Sequence, residues 1–413
     1  MNTTSKNLFL AALCSTMAVA WTGCTPSKSC PGAQASSPAP AFDKAHILEV
    51  AEAQVDYQIK LVEQDQTQVL NPRSVVNGVI QYIPIDDWCS GFFPGIVWQM
   101  YRLTGDEKYL PYAEKYTEAL DSIKHLKWHH DVGFMMDCSY GQGLSATGNP
   151  AYAEVLVETA RSLATRFRPA AGVFQSWDED RGWQGERGWM CPTIIDNMMN
   201  LELMFKATQI SGDSTFWHMA VSHADTTLKY HFRDDYSTYH VVDYDKVNGG
   251  VRRRCTAQGL ADETCWARGE TWALYGFAIC YYYTHDPRYL ERCKQVYNYI
   301  FTHPRLPEDL VPYWDYDDPN IPNAPRDASS AAVTASALYL LSEWIPEYRE
   351  TADKIMASLS SPAYLALVGT NGNCLLMHST GALPFGGEID VPINYADYYF
   401  LEALLRAEGK DLP

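Results

Sequence analysis

A corner between two helices recurs four times in this chain and constrains the fold more than any other feature. An apolar stretch ends at Thr or Ser, Gly or His follows, then Asp or Asn, and an aromatic residue stands three positions later. The copies are Thr104-Gly105-Asp106 with Tyr109, Thr147-Gly148-Asn149 with Tyr152, Ser211-Gly212-Asp213 with Phe216, and Thr284-His285-Asp286 with Tyr289. Gly favours the left-handed conformation that ends a helix, and Asp or Asn caps the next one. The pattern therefore predicts repeated helical hairpins.

The helices on the two sides of each corner differ in polarity. The stretch before the first corner (95–101) is nearly all apolar, whereas the stretch after it (109–116) is amphipathic. An inner ring of buried helices and an outer ring facing solvent would show this difference. Further helices are predicted near residues 43–64, 327–343, 346–359 and 396–407.

These helices predict an all-α fold, an (α/α)6 barrel, in a single domain over residues 42–413. The alternative is an open array of helix pairs, which would have a regular repeat. The four corners are instead separated by 43, 64 and 73 residues. In a closed ring, the long connections that carry most Trp, Asp and His residues would meet at one mouth, where functional residues are expected.

The first 41 residues have the composition of an export signal and a tether. Lys6 precedes an apolar run at 8–20 that is too short to span a membrane, and Thr22-Gly23-Cys24 is similar to a bacterial lipobox. We predict a signal peptide at residues 1–23, lipidation of Cys24 and a Ser-, Pro- and Ala-rich tether at 24–41. The exported protein would be anchored facing the periplasm or the cell surface. An ordinary cleaved signal peptide is the alternative.

Composition narrows the function. The chain has 32 Lys and Arg against 50 Asp and Glu, a formal charge of −18, which argues against a nucleic-acid partner. Its 12 Trp and 27 Tyr favour a carbohydrate ligand, because flat rings stack on sugar faces. The eight cysteines after the tether lack metal-site spacing. We expect buried thiols, with one or two disulfides as the alternative, and no metal or cofactor.

Two carboxylates are candidates for catalysis. Asp196 begins a helix among Ile and Met residues, and Asp131 follows His129-His130 in a short polar stretch. Apolar surroundings favour the neutral form of an acid, which a general acid requires. A second carboxylate could orient water or a substrate hydroxyl. The alternatives are a helix-capping role for Asp196 and a turn role for Asp131.

Aromatic and hydrogen-bonding side chains in the same connections are candidates for substrate binding. They are Trp88, His130, Trp177, His240, Gln258, Arg268 and Trp272. A core position is the alternative for each Trp, and a structural role is the alternative for His240. Trp266 and Trp272 fall on different faces of one helix, so at most one should line a pocket. The run 252–254 is three arginines, solvated by default, although such a patch could bind an acidic glycan.

Nine short segments, in this order, resemble the unsaturated glucuronyl hydrolases, family 88 of the glycoside hydrolases. They are DWCSGFFPG (87–95), HHDVGFMM (129–136), QSWD (175–178), IIDNMMN (194–200), TYHV (238–241), AQG (257–259), WARGETWALYG (266–276), DASSAAV (327–333) and ADYYFLEALLR (396–406). The resemblance runs from about residue 42 to the end. Phe93 stands where the family usually has Trp, and residues 180–189 form a Gly- and Trp-rich insert expected to reshape the entrance.

The resemblance implies an (α/α)6 barrel that needs no metal. It also implies an enzyme that removes the 4,5-unsaturated uronic acid from the non-reducing end of glycosaminoglycan oligosaccharides made by lyases. Family members hydrate the C4=C5 vinyl ether, so Asp196 would protonate C4 and take a proton from the water that adds at C5. Asp131 would hold the 2- and 3-hydroxyls and help to keep Asp196 protonated.

The remaining candidates receive binding roles from the same resemblance. His240, Gln258 and Arg268 would contact the substrate, and Trp88, Trp177 and Trp272 would stack on it. The choice among chondroitin, hyaluronan and heparin-type disaccharides stays open. One alternative is an unsaturated rhamnogalacturonyl hydrolase of family 105, acting on pectin fragments. Another is a surface lipoprotein that binds glycans without catalysis.

Overall fold

The computed structural model describes residues 42–64 and 69–413 as a closed double ring of helices. The inner helices are Phe92–Thr104, the run 132–147, the run 195–211, Ala267–Thr284, Ala328–Leu341 and Asn394–Ala407. The outer helices are Lys44–Val62, Leu110–Glu118, Pro150–Ala164, Ser214–Tyr230, Pro287–Thr302 and Tyr348–Leu359. The predicted signal peptide, the tether and Cys24 lie outside the described residues.

Two inner helices are composite. The run 132–147 joins Val132–Met136, the π-helical turn Asp137–Gly141 and Gln142–Thr147. The run 195–211 joins the 3-10 turn Ile195–Asn200 to Leu201–Ser211. The short helical turns in the connections are Glu107–Tyr109, Asp121–His125, Gly182–Gly185, Asn371–Asn373 and Leu383–Phe385.

Burial separates the two rings as the sequence predicts. All 14 residues of Ala328–Leu341 are buried, whereas Pro287–Thr302 buries one face through Tyr289, Cys293, Val296 and Ile300. Each inner helix packs against the next, and the first, Phe92–Thr104, packs against the last, Asn394–Ala407. This contact closes the ring. The (α/α)6 barrel is therefore confirmed, and the open array is excluded.

The four corners form as predicted. Gly105, Gly148 and Gly212 have φ of 72°, 67° and 74°, and His285 adopts the same left-handed conformation at 54°. The four capping residues, Asp106, Asn149, Asp213 and Asp286, each accept a hydrogen bond from the backbone N–H two positions on. The four aromatic residues that follow are buried in the core. Each corner thus ends an inner helix and begins an outer one.

Short strands lie in the connections between helices. Strands β1 (Asn71–Val76) and β2 (Val79–Ile83) form an antiparallel hairpin, and β3 (Phe167–Arg168) pairs with β4 (Val173–Phe174). A three-stranded antiparallel sheet has the order β5 (Pro192–Ile194), β6 (Val241–Tyr244), β7 (Val251–Cys255). Ile194 pairs with Val241, and the Ile195 N–H donates to the His240 carbonyl over 3.0 Å. This register brings the residues after β5 beside those before β6.

The turn Ile195–Asn200 packs between two inner helices at glycines. A Cβ at Gly276 would lie 2.4 Å from the Met198 Cβ, and a Cβ at Gly133 would lie 2.2 Å from the Asn200 Oδ1. Both distances are far below van der Waals contact, so only glycine admits the turn at these two points.

The cysteines agree with the sequence analysis. All eight cysteines in the described part of the chain are buried and unpaired, as expected of thiols that act as small apolar side chains. Among the helices that the structure describes, none has both the length and the apolar character needed to cross a membrane.

Replacing Gly276 with Ala should destabilise the barrel. The added methyl group meets Met198 and forces the turn or the helix to shift, at a cost of about 1–3 kcal/mol. Urea unfolding monitored by circular dichroism measures this loss as a lower midpoint. A wild-type midpoint in Gly276→Ala would show that the turn is not held by this contact.

Glu270, on the inner helix Ala267–Thr284, is a buried acid with a raised pKa. Its Oε1 accepts hydrogen bonds from the Thr238 N–H over 2.5 Å and the Thr238 hydroxyl over 2.7 Å. Burial raises the pKa of Glu270 to about 7, although hydrogen bonds from Cys265 and Thr238 oppose the rise. Glu270 is therefore largely protonated in the native protein at mildly acidic pH.

This raised pKa should make stability depend on pH. Below the ordinary Glu pKa of 4.5 both the native and the unfolded states carry the proton, so the stabilisation is fully present. Between 4.5 and about 7 only the native state keeps the proton, and the free energy of unfolding falls as pH rises. Glu270→Gln should reduce this fall in urea titrations from about pH 5 to 8. An equal slope in the variant and the wild type would contradict the assignment.

Candidate active site

One cavity of about 340 Å³ opens where the connections between helices meet. Its lining residues are Arg73, Trp88, His130, Asp131, Phe134, Trp177, Trp183, Gln184, Ile194, Asp196, Gln258, Arg268 and Phe385. Seven of the nine residues proposed from the sequence are among them. The other two, His240 and Trp272, lie behind the cavity wall.

Asp196 lies in the turn Ile195–Asn200 with 8% of its surface exposed. The His240 Nε2 is 3.5 Å from the Asp196 Oδ1. The His240 Nδ1 accepts hydrogen bonds from the backbone N–H groups of Ala257, over 2.9 Å, and Gln258, over 3.1 Å. Because Nδ1 accepts both hydrogen bonds, a proton of His240 is on Nε2, the ring nitrogen nearest to Asp196.

Asp131 is paired with His130 at the start of the inner helix 132–147. The His130 Nε2 is 3.2 Å from the Asp131 Oδ1. The Asn200 Oδ1 accepts from the Phe134 N–H over 3.1 Å, so its Nδ2 faces the His130 Nδ1, also at 3.1 Å. Nδ1 therefore accepts, and the proton of neutral His130 is on Nε2, the ring nitrogen nearest to the Asp131 Oδ1.

The pKa values of His130 and Asp131 are both lowered, and this determines which of the two side chains is charged. Burial lowers the pKa of His130, and the charges of Asp131 and Asp196 oppose the change only in part. Burial raises the pKa of Asp131, but His130, His129 and Arg166 outweigh it and lower the pKa below the usual value. His130 is therefore neutral and Asp131 is ionised near neutral pH.

Aromatic rings form the walls of the cavity. Trp88 packs against Tyr395 with ring centroids 5.2 Å apart, and Trp177 stacks on Trp189 at 5.7 Å. The indoles of Trp88 and Trp177 both reach the cavity surface. They can offer flat apolar faces to a sugar ring.

The prediction that Trp272 stacks on the substrate is wrong. Its side chain is fully buried, between Phe134 at 5.3 Å and Tyr399 at 5.7 Å. Residues 267–280 are all buried, so helical periodicity could not reveal which Trp faces the site. Trp272 instead packs behind Phe134, which does line the cavity.

Arg268 and Gln258 connect the cavity to the segment 380–381. The Arg268 guanidinium donates to the Asp327 Oδ2 over 2.9 Å, to the Thr380 carbonyl over 2.6 Å and to the Gly381 carbonyl. The Gln258 Nε2 donates to the same Gly381 carbonyl over 3.4 Å. The positive charge of Arg268 is thus balanced by Asp327, and its N–H groups also donate to backbone carbonyls.

Sequence reasoning missed six lining residues: Arg73, Phe134, Trp183, Gln184, Ile194 and Phe385. Arg73 donates to Asp87 over 2.9 Å and to Glu388 over 2.6 Å. Phe134 and Ile194 lie inside segments that the sequence analysis singled out. Trp183 and Gln184 belong to the insert 180–189, which lines the entrance as expected. Nothing local in the sequence distinguishes Arg73 or Phe385.

The arrangement is suited to proton transfer on a bound sugar. It combines a carboxyl group that faces a histidine N–H, an ionised carboxylate and two indole walls. Over residues 42–64 and 69–413, no three His, Cys, Asp or Glu side chains are grouped so as to hold a metal ion.

Comparisons with known proteins agree with this site. The sequence model of Glycosyl Hydrolase Family 88 matches residues 59–403. An unsaturated glucuronyl hydrolase of Formosa agariphila is 44% identical over 339 residues, which cover 81% of this chain and 84% of that protein. An unsaturated chondroitin disaccharide hydrolase of Streptococcus pyogenes is 28% identical over 342 residues, covering 79% and 83%.

A solved structure, an unsaturated glucuronyl hydrolase specific for heparin, superimposes with a TM-score of 0.83 at 42% identity. The match covers 89% of this chain and 98% of that chain. The residues matched by the family model include every residue that lines the cavity. The chain belongs to glycoside hydrolase family 88 and is a glycosidase.

Proposed function

We propose that this glycosidase removes the 4,5-unsaturated uronic acid from the non-reducing end of glycosaminoglycan oligosaccharides. The observation that carries the proposal is the pair of Asp196, facing the His240 N–H, and ionised Asp131 in one cavity walled by Trp88 and Trp177. The enzymes named for this activity or for chondroitin disaccharide hydrolysis share the family and the fold.

Hydration of the vinyl ether begins with a proton transfer from Asp196. The carboxyl group protonates C4 of the C4=C5 bond, and the positive charge that forms at C5 is shared with the ring oxygen. Water adds at C5 and returns a proton to Asp196, which restores the acid. In between, Asp196 is a carboxylate, and a hydrogen bond from the His240 Nε2–H, 3.5 Å away, would stabilise it once the two side chains move closer.

The hydrated product then opens without further help from the protein. The hemiketal at C5 becomes a ketone, and the ring oxygen becomes a hydroxyl on C1. The hemiacetal at C1 expels the next sugar and leaves an aldehyde, so the products are a 4-deoxy-5-keto uronate and a shortened saccharide. Attack at C1, as in the two-carboxylate retaining and inverting schemes, is not needed.

Asp131 would orient the sugar. An ionised carboxylate is a strong acceptor for the 2- and 3-hydroxyls of the uronate, and His130 holds one oxygen of Asp131. We also propose that the uronate ring lies between Trp88 and Trp177, because both indoles line the cavity that contains Asp131.

The choice of glycosaminoglycan is guided by the relatives. The neighbour specific for heparin is 42% identical to this chain, and the chondroitin disaccharide hydrolase is 28% identical. A heparin-type disaccharide is therefore our first substrate to test, with chondroitin and hyaluronan disaccharides beside it. Pectin-derived fragments test the family 105 alternative.

We also propose export and membrane anchoring through Cys24. The proposal rests only on the N-terminal sequence, in which a short apolar run precedes Thr22-Gly23-Cys24. An anchored enzyme would meet oligosaccharides in the periplasm or at the cell surface.

Asp196→Asn should abolish turnover while substrate still binds. The amide cannot supply the proton, so kcat should fall by about 10²- to 10⁴-fold with little change in KM. Loss of the ultraviolet absorbance of the C4=C5 chromophore measures the rate. Asp213→Asn, the same change at an exposed helix cap, is the matched control and should behave as the wild type. A wild-type rate in Asp196→Asn would mean that another residue is the acid.

Asp131→Asn should weaken substrate binding more than Asp196→Asn does. Losing a charged acceptor for two hydroxyls raises KM by about ten- to a hundredfold. The same absorbance assay, run over a range of disaccharide concentrations, separates KM from kcat. An unchanged KM would contradict the placement of the uronate hydroxyls at Asp131.

A further inference from the structure

A pair of arginines flanks the entrance of the cavity on the insert 180–189 and strand β7. The Arg187 guanidinium lies 5.6 Å and the Arg253 guanidinium 5.9 Å from the centroid of the Trp189 ring. Arg253 Nη2 donates to the Arg187 carbonyl, which ties the two segments together. We call Arg187, Arg253 and Trp189 the arginine rim.

The two guanidiniums of the rim have no counter-charge. Among the residues that the structure describes, no carboxylate lies within 4.0 Å of either one, including the exposed neighbour Glu186. The adjacent Arg252, by contrast, is paired with Asp243 at 2.5 Å. Two like charges against one indole repel each other, so a bound anion would stabilise the arrangement.

Two nearby acids, Asp178 and Glu179, are engaged elsewhere, and the exposed Glu186 forms no ion pair with either rim guanidinium. Asp178 pairs with Arg166 at 3.1 Å, and Glu179 pairs with Lys246. A guanidinium that lies over a ring keeps its N–H groups free at its edge, which is the geometry for binding sulfate or carboxylate. The rim can therefore accept an anion without breaking an existing ion pair.

The cations inside the cavity are not free in this way. Arg73 is held by both Asp87 and Glu388, and Arg268 is held by Asp327 at 2.9 Å. A glycosaminoglycan fragment is nonetheless an anion, and this protein carries a formal charge of −18. Uncompensated positive charge for such a substrate is available at the rim.

The rim is continuous with the cavity through its aromatic residues. Trp183 lines the cavity, and the Arg187 guanidinium is 5.5 Å from the Trp183 ring centroid. Trp183 also contacts Phe385 across the entrance at 5.1 Å. A saccharide that extends outward from Asp196 along Trp183 would reach the rim with the sugars beyond the cleaved bond.

We propose that Arg187 and Arg253 bind an anionic group on the sugars that follow the unsaturated uronate. This inference rests on the proposed function and deepens it, because it assigns the enzyme a preference for acidic leaving saccharides. The shared chemistry is a sulfate or a carboxylate. A sulfate on the sugar next to the cleaved bond and the carboxylate of an internal uronate are the two sources.

The experiment compares three unsaturated substrates with the wild type and with Arg187→Gln/Arg253→Gln. They are an unsulfated disaccharide, its sulfated form and an unsulfated tetrasaccharide that adds an internal uronate. In the wild type, kcat/KM should be higher for at least one substrate with an additional anion, and added salt should reduce that advantage. In the double variant this advantage in kcat/KM should shrink by about tenfold, because KM rises while kcat stays the same.

Arg161→Gln/Arg288→Gln is the matched control. Arg161 and Arg288 lie on outer helices, are exposed and are paired with Glu158 and Asp286, so the same change in net charge is made away from the rim. This control should keep the wild-type preference. Thermal unfolding shows whether each variant is folded, and Arg187→Gln alone is used if the double variant is not.

The outcomes separate the two proposals. If the wild type leaves all three substrates intact, the proposed function is wrong and the rim has no substrate to bind. If the wild type is active but shows no preference, or if the rim variant keeps the preference, only the rim inference is overturned. Loss of preference for the sulfated disaccharide identifies sulfate as the ligand, and loss for the tetrasaccharide identifies the carboxylate.

Discussion

The candidate site depends on how tightly the turn Ile195–Asn200 fits between two inner helices. The turn meets the neighbouring helices at Gly276 and Gly133, where no side chain larger than hydrogen fits. The strand before the turn pairs with β6, which fixes the approach of His240. A buried acid in a protein of this kind is useful only if its surroundings cannot relax, because a small shift changes the reacting geometry.

The same turn also orients the second carboxylate. Asn200 lies four residues after Asp196 and bonds His130 at 3.1 Å, and His130 in turn faces Asp131 at 3.2 Å. A second chain of bonds starts at Asn197, whose Nδ2 donates to the Phe174 carbonyl over 2.8 Å. The two carboxylates, which come from different hairpins, are therefore positioned by one short segment. A displacement of the turn would therefore move Asp196 and disturb Asp131 at the same time.

The sequence predicted the features that are local in the chain. The corners needed only a left-handed residue, a cap and an aromatic residue, so their positions could be read directly. Asp196 stood out because it lies among Ile and Met residues, and Asp131 stood out because it lies in a short polar stretch after two histidines. Arg73 and Phe385 could not be found, since Arg73 reaches the site through Glu388, 315 residues away in sequence. Trp272 was misplaced because its helix is buried on all sides near the site.

The charges and walls of the cavity suggest how substrate and product would be distinguished. The double bond flattens the uronate ring, and a flat ring can contact both Trp88 and Trp177. Hydration converts C5 to a tetrahedral centre and then opens the ring, so the stacking contact is lost with the bond that is cleaved. Because the cavity cations Arg73 and Arg268 are already paired, the carboxylate of the opened product finds little free positive charge there. In the proposed mechanism, binding through ring shape and hydroxyl groups would therefore favour the substrate and allow the product to leave.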